Sequence, residues 1–368
     1  MDEKLKKIII YVSAGFVILI IILFAISSCQ GKSANYEEYQ KSMEKAAKNF
    51  YENHEDELPT EDKKTSEYSL KEMITNGDIE DYTKAFEDES LKCDGGVTVI
   101  NNNGYYLYTS ELDCGDAYSS NTLSKKIKED NLTESGQGLY EMGDNYVFRG
   151  EQVNNYASFN GETWRIISID GSDNVYLLQE KSSKDCTFDN HYNIEESETG
   201  INIYYQGEGK NSNMMTCLQK VYDEKISDEA KAYLSTQRVC YGARSEADTT
   251  NDGSTECSIF IDKQELNLLA AYEYIRASID DDCKSISSRT CRNYNWLARD
   301  HSTYLITPSA RNTYMSYYKD ENEIEETYAN NYLPVLLKIS INGKVNYTTG
   351  NGTEDSPYQI GDVAKKKK

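Results

Sequence analysis

The stretch CDGGVTVINNNGYYLYTSELDC, residues 93–114, decides the fold of the region around it. Asn103-Gly104 is the sequence preferred in a two-residue type I′ turn, and residues that favour strands flank it on both sides. A hairpin with this loop pairs residues whose numbers sum to 207, and Cys93 and Cys114 meet that condition. They fall in a non-hydrogen-bonded pair, where Cα atoms approach to about 4.5 Å. This register therefore predicts a Cys93–Cys114 disulfide, which a bulge at Gly95-Gly96 would displace.

The other cysteines also predict disulfides. Of nine cysteines, Cys29 follows a hydrophobic segment and the other eight come later in the chain. An even number of cysteines without a C-x-x-C motif is typical of a disulfide framework in an oxidising exterior compartment. Local spacing favours nearest neighbours in the sequence. Beyond the hairpin these would be Cys186 with Cys217, Cys240 with Cys257, and Cys283 with Cys291.

A hydrophobic run near the N-terminus predicts a membrane anchor. Residues 8–26 read IIIYVSAGFVILIIILFAI without a charge, and as a helix they span about 28 Å, close to the thickness of a bilayer core. We place a transmembrane helix at residues 8–28. Because residues 1–7 contain three lysines, the positive-inside rule makes them a cytoplasmic tail. The chain is then a single-pass cell-membrane protein with its C-terminal body outside.

Two other interpretations of this segment remain open. A cleaved secretory signal usually has a shorter apolar region and a small-residue cleavage site, neither of which is present here. The sequence Ile26-Ser27-Ser28-Cys29 resembles a bacterial lipobox, in which Cys29 would be lipidated. Both the anchor and the lipoprotein place the following residues on the outer face of a membrane.

Charge and composition exclude several classes of function. The 368 residues carry a net charge of −23, which argues against nucleic acid and against a bare anionic lipid surface as partners. There are 31 tyrosines and only 4 prolines, so a disordered stalk is not expected. Sequence rich in Tyr and punctuated by Asn, Gly and Asp is typical of β-hairpins with polar loops.

The chain divides into segments of different character, which together predict an α+β fold. After the anchor, residues 29–117 contain an amphipathic helix to about residue 54, a charged linker at residues 61–67, a short helix opened by Ser69-x-x-Glu72, and the hairpin. Residues 118–140 are polar, with a helix predicted around Leu123–Lys128, and are predicted to link two domains. Residues 141–360 form the second domain, and residues 361–368 are a basic tail.

Short strands dominate the first part of the second domain. They are predicted at 146–150, 156–159, 162–169 and 175–179, with an Asn160-Gly161 turn. The strand at 162–169 has apolar residues on both faces, which is typical of a central strand. Helices are predicted near 214–225 and 228–236, and a further one is predicted to begin at Asp262-x-x-Glu265.

The front of the chain resembles the type IV pilins and pseudopilins in its layout of a hydrophobic helix, an exterior extension and a small disulfide-closed sheet. It is also similar to uncharacterised surface proteins of low-GC Gram-positive bacteria, whose hairpin is like Cys93-x-Gly95-x-Val97-x-Val99 here, offset by one. This resemblance implies self-association through the N-terminal helix. The chain departs from pilin leaders in one respect, because Ile20 stands where they have Glu after Gly15-Phe16.

The region from about residue 141 to residue 360 resembles the C-terminal domain of those same surface proteins. The blocks that carry this likeness are YVFRG (146–150), FNGETWRII (159–167), LLAAYEYI (268–275), YLITPS (304–309), LPVLLKIS (333–340) and GNGTEDSPYQI (350–360). Such domains look like distant members of the C-type-lectin and formylglycine-generating-enzyme fold. The resemblance implies a mixed, loop-rich sheet with one or two helices, and it implies no ligand.

No motif in the sequence predicts catalysis. The chain has only His54, His191 and His301, and it contains no zinc-protease motif, nucleotide-binding glycine motif or P-loop. Acidic loops at Asp280-Asp281-Asp282, Asp170 with Asp173, and Asp248 with Asp252 are weak candidates for Ca²⁺. The lectin motifs Glu-Pro-Asn, Gln-Pro-Asp and Trp-Asn-Asp are all absent. Apart from a possible Ca²⁺ ion, no cofactor is expected.

These observations predict a membrane-anchored extracellular binding or adhesion protein that recognises a protein or a glycan. Trp164 and Trp296 are candidate aromatic anchors of its surface, although core packing suits the mid-strand Trp164 better. The alternative is a structural, pseudopilin-like component of a surface or secretion assembly. An enzyme with an unrecognised site is the least favoured hypothesis.

Overall fold

The structure, a computed structural model, describes residues 35–102, 104–188, 212–298, 302–311, 315–320 and 323–361. The described residues form two compact units, one within residues 35–101 and 106–120 and the other within residues 102, 104–105 and 121–361. Several antiparallel sheets, helices and four disulfides make the fold α+β. No helix within the described ranges is both long and apolar enough to cross a membrane. Residues 1–34, with the predicted span and Cys29, and residues 362–368 lie outside those ranges.

One helix supplies much of the core of the first unit. This helix, α1, occupies residues 35–53. The helical spacing predicts one stripe, formed by Tyr36, Tyr39, Met43, Ala46, Ala47 and Phe50. Four of these are buried, Tyr36 and Phe50 are half-buried, and Gln40 and Tyr51 are buried in addition. Tyr39, Met43, Ala47 and Tyr51 pack in one apolar cluster with Val97 and Val99 of the hairpin. The amphipathic pattern is therefore a packing face.

The sheet of the first unit has three strands in the order β1, β2, β3. They are β1 (Thr65–Ser69), β2 (Asp94–Asn102) and β3 (Tyr105–Asp113). The interpretation of residues 61–67 as a linker is wrong from Thr65 onward, because β1 pairs along β2 from Thr65 opposite Ile100 to Ser69 opposite Gly96. Only Tyr68 of this edge strand is buried. Because the other residues of β1 are polar, the sequence pattern does not indicate a strand there.

Two short helices follow in the first unit, α2 (Leu70–Asn76) and α3 (Tyr82–Ala85). The predicted capping box of α2 is present, since the Ser69 side chain accepts from the backbone of Glu72 and the Glu72 carboxylate accepts from the backbone of Ser69. The helix ends at Gly77, whose φ of 79° is in the left-handed region.

Strands β2 and β3 are neighbours in the sheet, and the disulfide predicted between their ends is present. Cys93 and Cys114 form a disulfide with a Cα–Cα distance of 4.1 Å. Gly95 has a φ of +136°, and a Cβ atom on it would lie 2.1 Å from the carbonyl oxygen of Glu111. Only glycine fits there, next to the disulfide.

We expect removal of this disulfide to destabilise the first unit. In the variant Cys93→Ala/Cys114→Ala, loss of a bond with a sequence separation of 21 lowers the free energy of unfolding by about 3 kcal/mol by the chain-entropy relation. Hydrogen–deuterium exchange of peptides from residues 94–113 measures this locally. Unchanged exchange in these peptides would contradict the prediction, and peptides from the second unit serve as the internal control.

The second unit contains the remaining helices and strands. Its helices are α4 (Leu123–Asn131), α5 (Asn213–Lys225), α6 (Asp228–Lys231) and α7 (Ala271–Ala277). Its strands are β4 (Gly138–Met142), β5 (Asn145–Arg149), β6 (Tyr156–Phe159), β7 (Glu162–Ile169), β8 (Asn174–Gln179), β9 (Lys184–Cys186), β10 (Leu234–Ser235), β11 (Gln237–Cys240), β12 (Phe260–Gln264), β13 (Leu266–Asn267), β14 (Thr303–Pro308), β15 (Met315–Lys319), β16 (Ile324–Tyr328), β17 (Leu333–Val335), β18 (Lys338–Asn342) and β19 (Tyr358–Ile360).

A large sheet organises this unit. Its main path runs β10, β18, β8, β7, β5, β4, while β13 pairs with β18 and β6 joins both β7 and β19. The predicted central strand is confirmed, since β7 pairs with β5, β6 and β8. The turn Asn160-Gly161 has φ values of 53° and 79°, as a type I′ turn requires. The helix predicted around Leu123–Lys128 within residues 118–140 is present as α4, and its Leu123 and Ile127 are fully buried.

The second unit also contains smaller sheets. Among the described residues these are β14-β15-β16, β11 with β12, and β9 with β17. Three disulfides join nearest-neighbour cysteines, as the local spacing suggests: Cys186–Cys217, Cys240–Cys257 and Cys283–Cys291.

Two helix predictions were wrong at their boundaries. Asp262 does not begin a helix but lies in β12, where its carboxylate pairs with Arg238 across the two-stranded sheet. Helix α7 begins at Ala271, because Glu273 caps it by accepting from the backbone N–H of Ala270. Helix α6 ends at Lys231 rather than near 236, since residues 234–235 pair with β18.

Candidate functional site

The aspartates predicted as candidate Ca²⁺ ligands lie in loops that their own carboxylates stabilise. Asp280 accepts hydrogen bonds from the backbone of Asp282 at 2.9 Å and from the amide of Asn293 at 2.8 Å, and the Asn293 bond is the main cause that lowers its pKa. Asp281 and Asp282 are exposed. No group of three or more possible metal-ligating side chains occurs in the part of the chain that the structure describes.

Asp170 likewise has a structural role. Its carboxylate accepts from the backbone N–H groups of Ser172 and Asn174, each at 2.9 Å, and from the Tyr176 hydroxyl at 3.2 Å. This is the local side-chain bonding that Asp favours in turns. Asp173 pairs instead with Lys128. These two acids therefore shape the loop between β7 and β8.

Asp248 belongs to the loop between β11 and β12. Its carboxylate accepts from the Thr255 hydroxyl at 2.6 Å and from the backbone of Thr250 at 2.8 Å. Burial alone would raise the pKa of Asp248, but these hydrogen bonds and the charge of Arg244 outweigh it and lower the pKa to about 2. Asp252 accepts from Ser254 and contributes to the same loop.

This depressed pKa predicts a pH dependence. A carboxylate with a lower pKa in the folded than in the unfolded state stabilises the protein above the unfolded pKa, near 4, and this stabilisation is lost as the pH falls toward 2. We expect Asp248→Asn to lower the free energy of unfolding by about 1–2 kcal/mol at pH 6 and by progressively less below pH 4. Urea denaturation of both proteins between pH 3 and pH 7 measures the difference. A difference that does not change with pH would contradict it.

The histidines and tryptophans do not form a site among the described residues. His54 is exposed at the end of α1, where its ring stacks on Phe50, while His191 and His301 lie outside the described ranges. Trp164 and Trp296 are 1% and 3% exposed, and each indole N–H donates to a backbone carbonyl, those of Phe159 and Phe148. Both tryptophans are core residues, so neither is a surface anchor.

One open concavity of the second unit is a polar groove of about 720 Å³. It lies beside the β6–β7 hairpin and the end of β8. We call it the polar groove. Its lining residues are mostly charged or hydroxyl-bearing: Tyr156, Glu162, Thr163, Gln179, Glu180, Lys181, Ser182, Ser183, Lys225, Glu354 and Asp355. Four carboxylates and two lysines line it, so the groove has a net negative charge.

Arg165 fixes two of the residues that line the groove. Its guanidinium lies 3.8 Å from the ring centroid of Tyr156 and 3.7 Å from the carboxylate of Glu180. It also donates to the side chain of Asn155 at 2.7 Å, and its own side chain is only 6% exposed. Burial lowers the pKa of Arg165, and Glu180 opposes this effect. A buried cation thus holds an aromatic ring and a carboxylate in place.

An ion pair fixes the hairpin side of the groove. Lys225, the last residue of α5, donates to Glu162 of β7 at 2.7 Å. Sequence reasoning missed the groove, because its residues come from four separate segments of the chain. Only the FNGETWRII block and the GNGTEDSPYQI block, noted for their resemblance, mark parts of it.

All eight cysteines of the described residues are in disulfides. The residues that line the groove offer carboxylates, hydroxyls, an amide and ammonium groups to a ligand. This set suits hydrogen bonding to a polyhydroxylated or charged molecule.

No protein-family model matches the chain, and no curated protein and no solved structure is found to be similar to it.

Proposed function

We propose that the chain is a membrane-anchored extracellular binding protein. In this proposal residues 8–28 span the cell membrane, residues 29–117 form a pilin-like stem, and residues 141–360 form a C-type-lectin-like domain that presents the polar groove. The uninterrupted hydrophobic run and the disulfides support an exterior location. The ligand would be a glycan or a protein on another cell surface.

The polar groove is the observation that carries this proposal. Its volume of about 720 Å³ is within the range of ligand-binding pockets. Its side chains can both donate and accept hydrogen bonds, as recognition of sugar hydroxyls requires. Because Arg165 and Lys225 hold three of the lining side chains in ion pairs or ring contacts, much of the groove is organised before a ligand binds.

A binding screen tests the proposal. The full chain, reconstituted in neutral lipid nanodiscs, is applied to a glycan array and to intact bacterial and host cells, with and without Ca²⁺. We expect saturable binding to at least one glycan or cell type. The groove variant Glu354→Gln/Asp355→Asn should weaken it at least tenfold, because both exposed acids line the groove.

The control is Glu229→Gln, which removes an exposed acid of α6 that does not line the groove. The control should bind like the wild type. Absence of binding across the screen would contradict the proposal, as would a groove variant that binds with unchanged affinity. Binding that is lost without Ca²⁺ would add a metal ion to the proposed site.

A second candidate function is that of a pseudopilin-like structural component. The packing of α1 on a small disulfide-closed sheet favours it. Site-specific crosslinking in native membranes separates the two functions. A repeating self-contact through residues 8–54 supports an assembly, and only monomers after crosslinking would contradict it.

A further inference from the structure

A second pocket of the second unit lies apart from the polar groove and shares no lining residue with it. Its volume is about 320 Å³. One part of its wall is the loop closed by the Cys283–Cys291 disulfide, with the 3₁₀ turn Arg289–Arg292. Other parts are Tyr274 of α7, Tyr317 of β15 and residues 323–326 at β16. We call it the charged pocket.

A tyrosine hydroxyl that is not hydrogen-bonded within the described residues lines the charged pocket. Tyr274 is 2% exposed, and its hydroxyl makes no hydrogen bond to any residue within the described ranges. The hydroxyl of Tyr317, in the same wall, differs because it donates to the carbonyl oxygen of Arg244 at 3.0 Å. The Tyr274 hydroxyl is not one of the fully buried polar atoms that lack a partner, so it is open to the pocket that its side chain lines. It is therefore available to donate a hydrogen bond to a ligand in this volume.

Both signs of charge line this pocket. Arg289 and Arg292 are exposed and form no ion pair within the described part of the chain. Glu323 and Glu325 also line it, and they too are without an ion pair there. No ion pair joins these arginines to these glutamates, so both kinds of charge are available to a ligand in the pocket.

Electrostatics connect Tyr274 to the two sides of the pocket. Burial raises the pKa of the Tyr274 hydroxyl, Arg292 opposes that rise, and Glu323 adds to it. The hydroxyl is therefore within electrostatic range of one cation and one anion that line the same volume. A ligand in the pocket can accept a hydrogen bond from this hydroxyl.

We propose that the charged pocket binds a small zwitterion that carries both a carboxylate and an ammonium group. Arg289 and Arg292 hold the carboxylate, because the planar guanidinium matches carboxylate geometry. Glu323 and Glu325 hold the ammonium group. The Tyr274 hydroxyl donates to the carboxylate and so gains the partner that it lacks in the protein alone. A free amino acid or the end of a peptide has this chemistry and fits a volume of this size.

Isothermal titration of the full chain in detergent micelles tests the proposal. The probes are the ω-amino acids from glycine to 6-aminohexanoate, together with butyrate and butylamine, each of which lacks one of the two charges. We expect one zwitterion of the series to bind at least tenfold more tightly than butyrate or butylamine. The best chain length reports the distance between the two charged sides.

Variants assign the binding to this pocket. Arg292→Gln should weaken binding of the tightest zwitterion at least tenfold, and Tyr274→Phe should weaken it at least threefold. Because the Tyr274 hydroxyl has no partner to lose, Tyr274→Phe should leave the urea midpoint of unfolding unchanged or higher, which separates a binding role from a structural one. Arg238→Gln, an exposed arginine of β11, should bind as the wild type does.

Several outcomes would overturn the proposal. They are the absence of saturable binding by every zwitterion, equal affinity for butyrate, and unchanged affinity in Arg292→Gln or Tyr274→Phe. Because the charged pocket shares no residue with the polar groove, these outcomes leave the proposed binding function of the groove to be judged by its own screen.

Discussion

Replacing Arg244 with methionine is expected to lower the free energy of unfolding of the second unit by about 3–5 kcal/mol. Arg244 and Glu256 both have completely buried side chains, and Arg Nε lies 2.8 Å from a Glu256 oxygen. The same guanidinium donates to the carbonyls of Asp248 and Thr250 at 3.1 and 2.6 Å. Methionine fills a similar volume but leaves the Glu256 carboxylate buried without its counter-ion.

The position of this ion pair explains why the loss is large. It closes the loop between β11 and β12, which the Cys240–Cys257 disulfide also closes. Glu256 in addition accepts from the backbone of Tyr272 at 3.3 Å, which connects the loop to α7. Arg244→Met therefore disturbs the loop, its hydrogen bonds and the contact with the helix together.

Urea denaturation followed by tryptophan fluorescence measures the change. The chain has only two tryptophans, Trp164 and Trp296, and both are buried in the second unit, so the signal reports that unit alone. The control is Arg238→Met, because Arg238 pairs with Asp262 where both side chains are about half exposed. Such a pair contributes about 0–1 kcal/mol. Similar losses in the two variants would contradict the prediction.

The double variant Arg244→Met/Glu256→Met completes the test. With both charges removed, no buried carboxylate lacks a partner, and replacement of a buried ion pair by apolar residues is often close to neutral. We expect the double variant to recover at least half of the stability that Arg244→Met loses. A double-mutant cycle without coupling between the two positions would be inconsistent with the buried pair.

Local chemistry explains which parts of the fold could be predicted from the sequence. The β2–β3 hairpin and its disulfide follow from the Asn103-Gly104 turn, since a two-residue turn determines the register of both strands. The central strand β7 follows from apolar residues on both of its faces. The α2 capping box lies within four residues. Each of these features depends on neighbours in the chain or on one regular period.

The features that could not be predicted depend on distant contacts. Strand β1 exists because β2 offers it hydrogen bonds, and its own exposed residues look like a linker. Asp262 satisfies a capping pattern but pairs with Arg238 of β11 instead. The polar groove combines the β6–β7 hairpin with Glu180, Lys225 and residues 354–355. No pattern in one segment indicates that these residues meet.

The second large effect is expected from Lys338→Met, which should lower the free energy of unfolding by about 3–5 kcal/mol at pH 7. The Lys338 ammonium lies 2.9 Å from both oxygens of Glu273, and these side chains are only 5% and 7% exposed. Lys338 is in the middle of the large sheet, between β8 and β13. Glu273 also accepts from the backbone N–H of Ala270 at 2.8 Å, so it caps α7. Removing the lysine leaves the buried Glu273 carboxylate at the start of α7 without a counter-ion.

The loss should depend on pH in a defined direction. A buried carboxylate without a counter-ion costs free energy, and this cost becomes smaller when a lower pH neutralises the charge. The stability gap between wild type and Lys338→Met should therefore be smaller at pH 5 than at pH 7. An equal gap at both values would contradict this explanation.

A matched rescue separates the charge of Glu273 from its capping role. In Lys338→Met/Glu273→Gln the side chain is neutral, and its amide oxygen can still accept from the backbone of Ala270. We expect the double variant to regain at least half of the loss at pH 7 and to show little pH dependence between 5 and 7. Lys225→Met, which breaks a partly exposed pair with Glu162, is the control and should lose less than about 1 kcal/mol. If Glu273→Gln restores nothing, the buried charge is not the cause, and the loss comes from the packing of the lysine chain in the sheet.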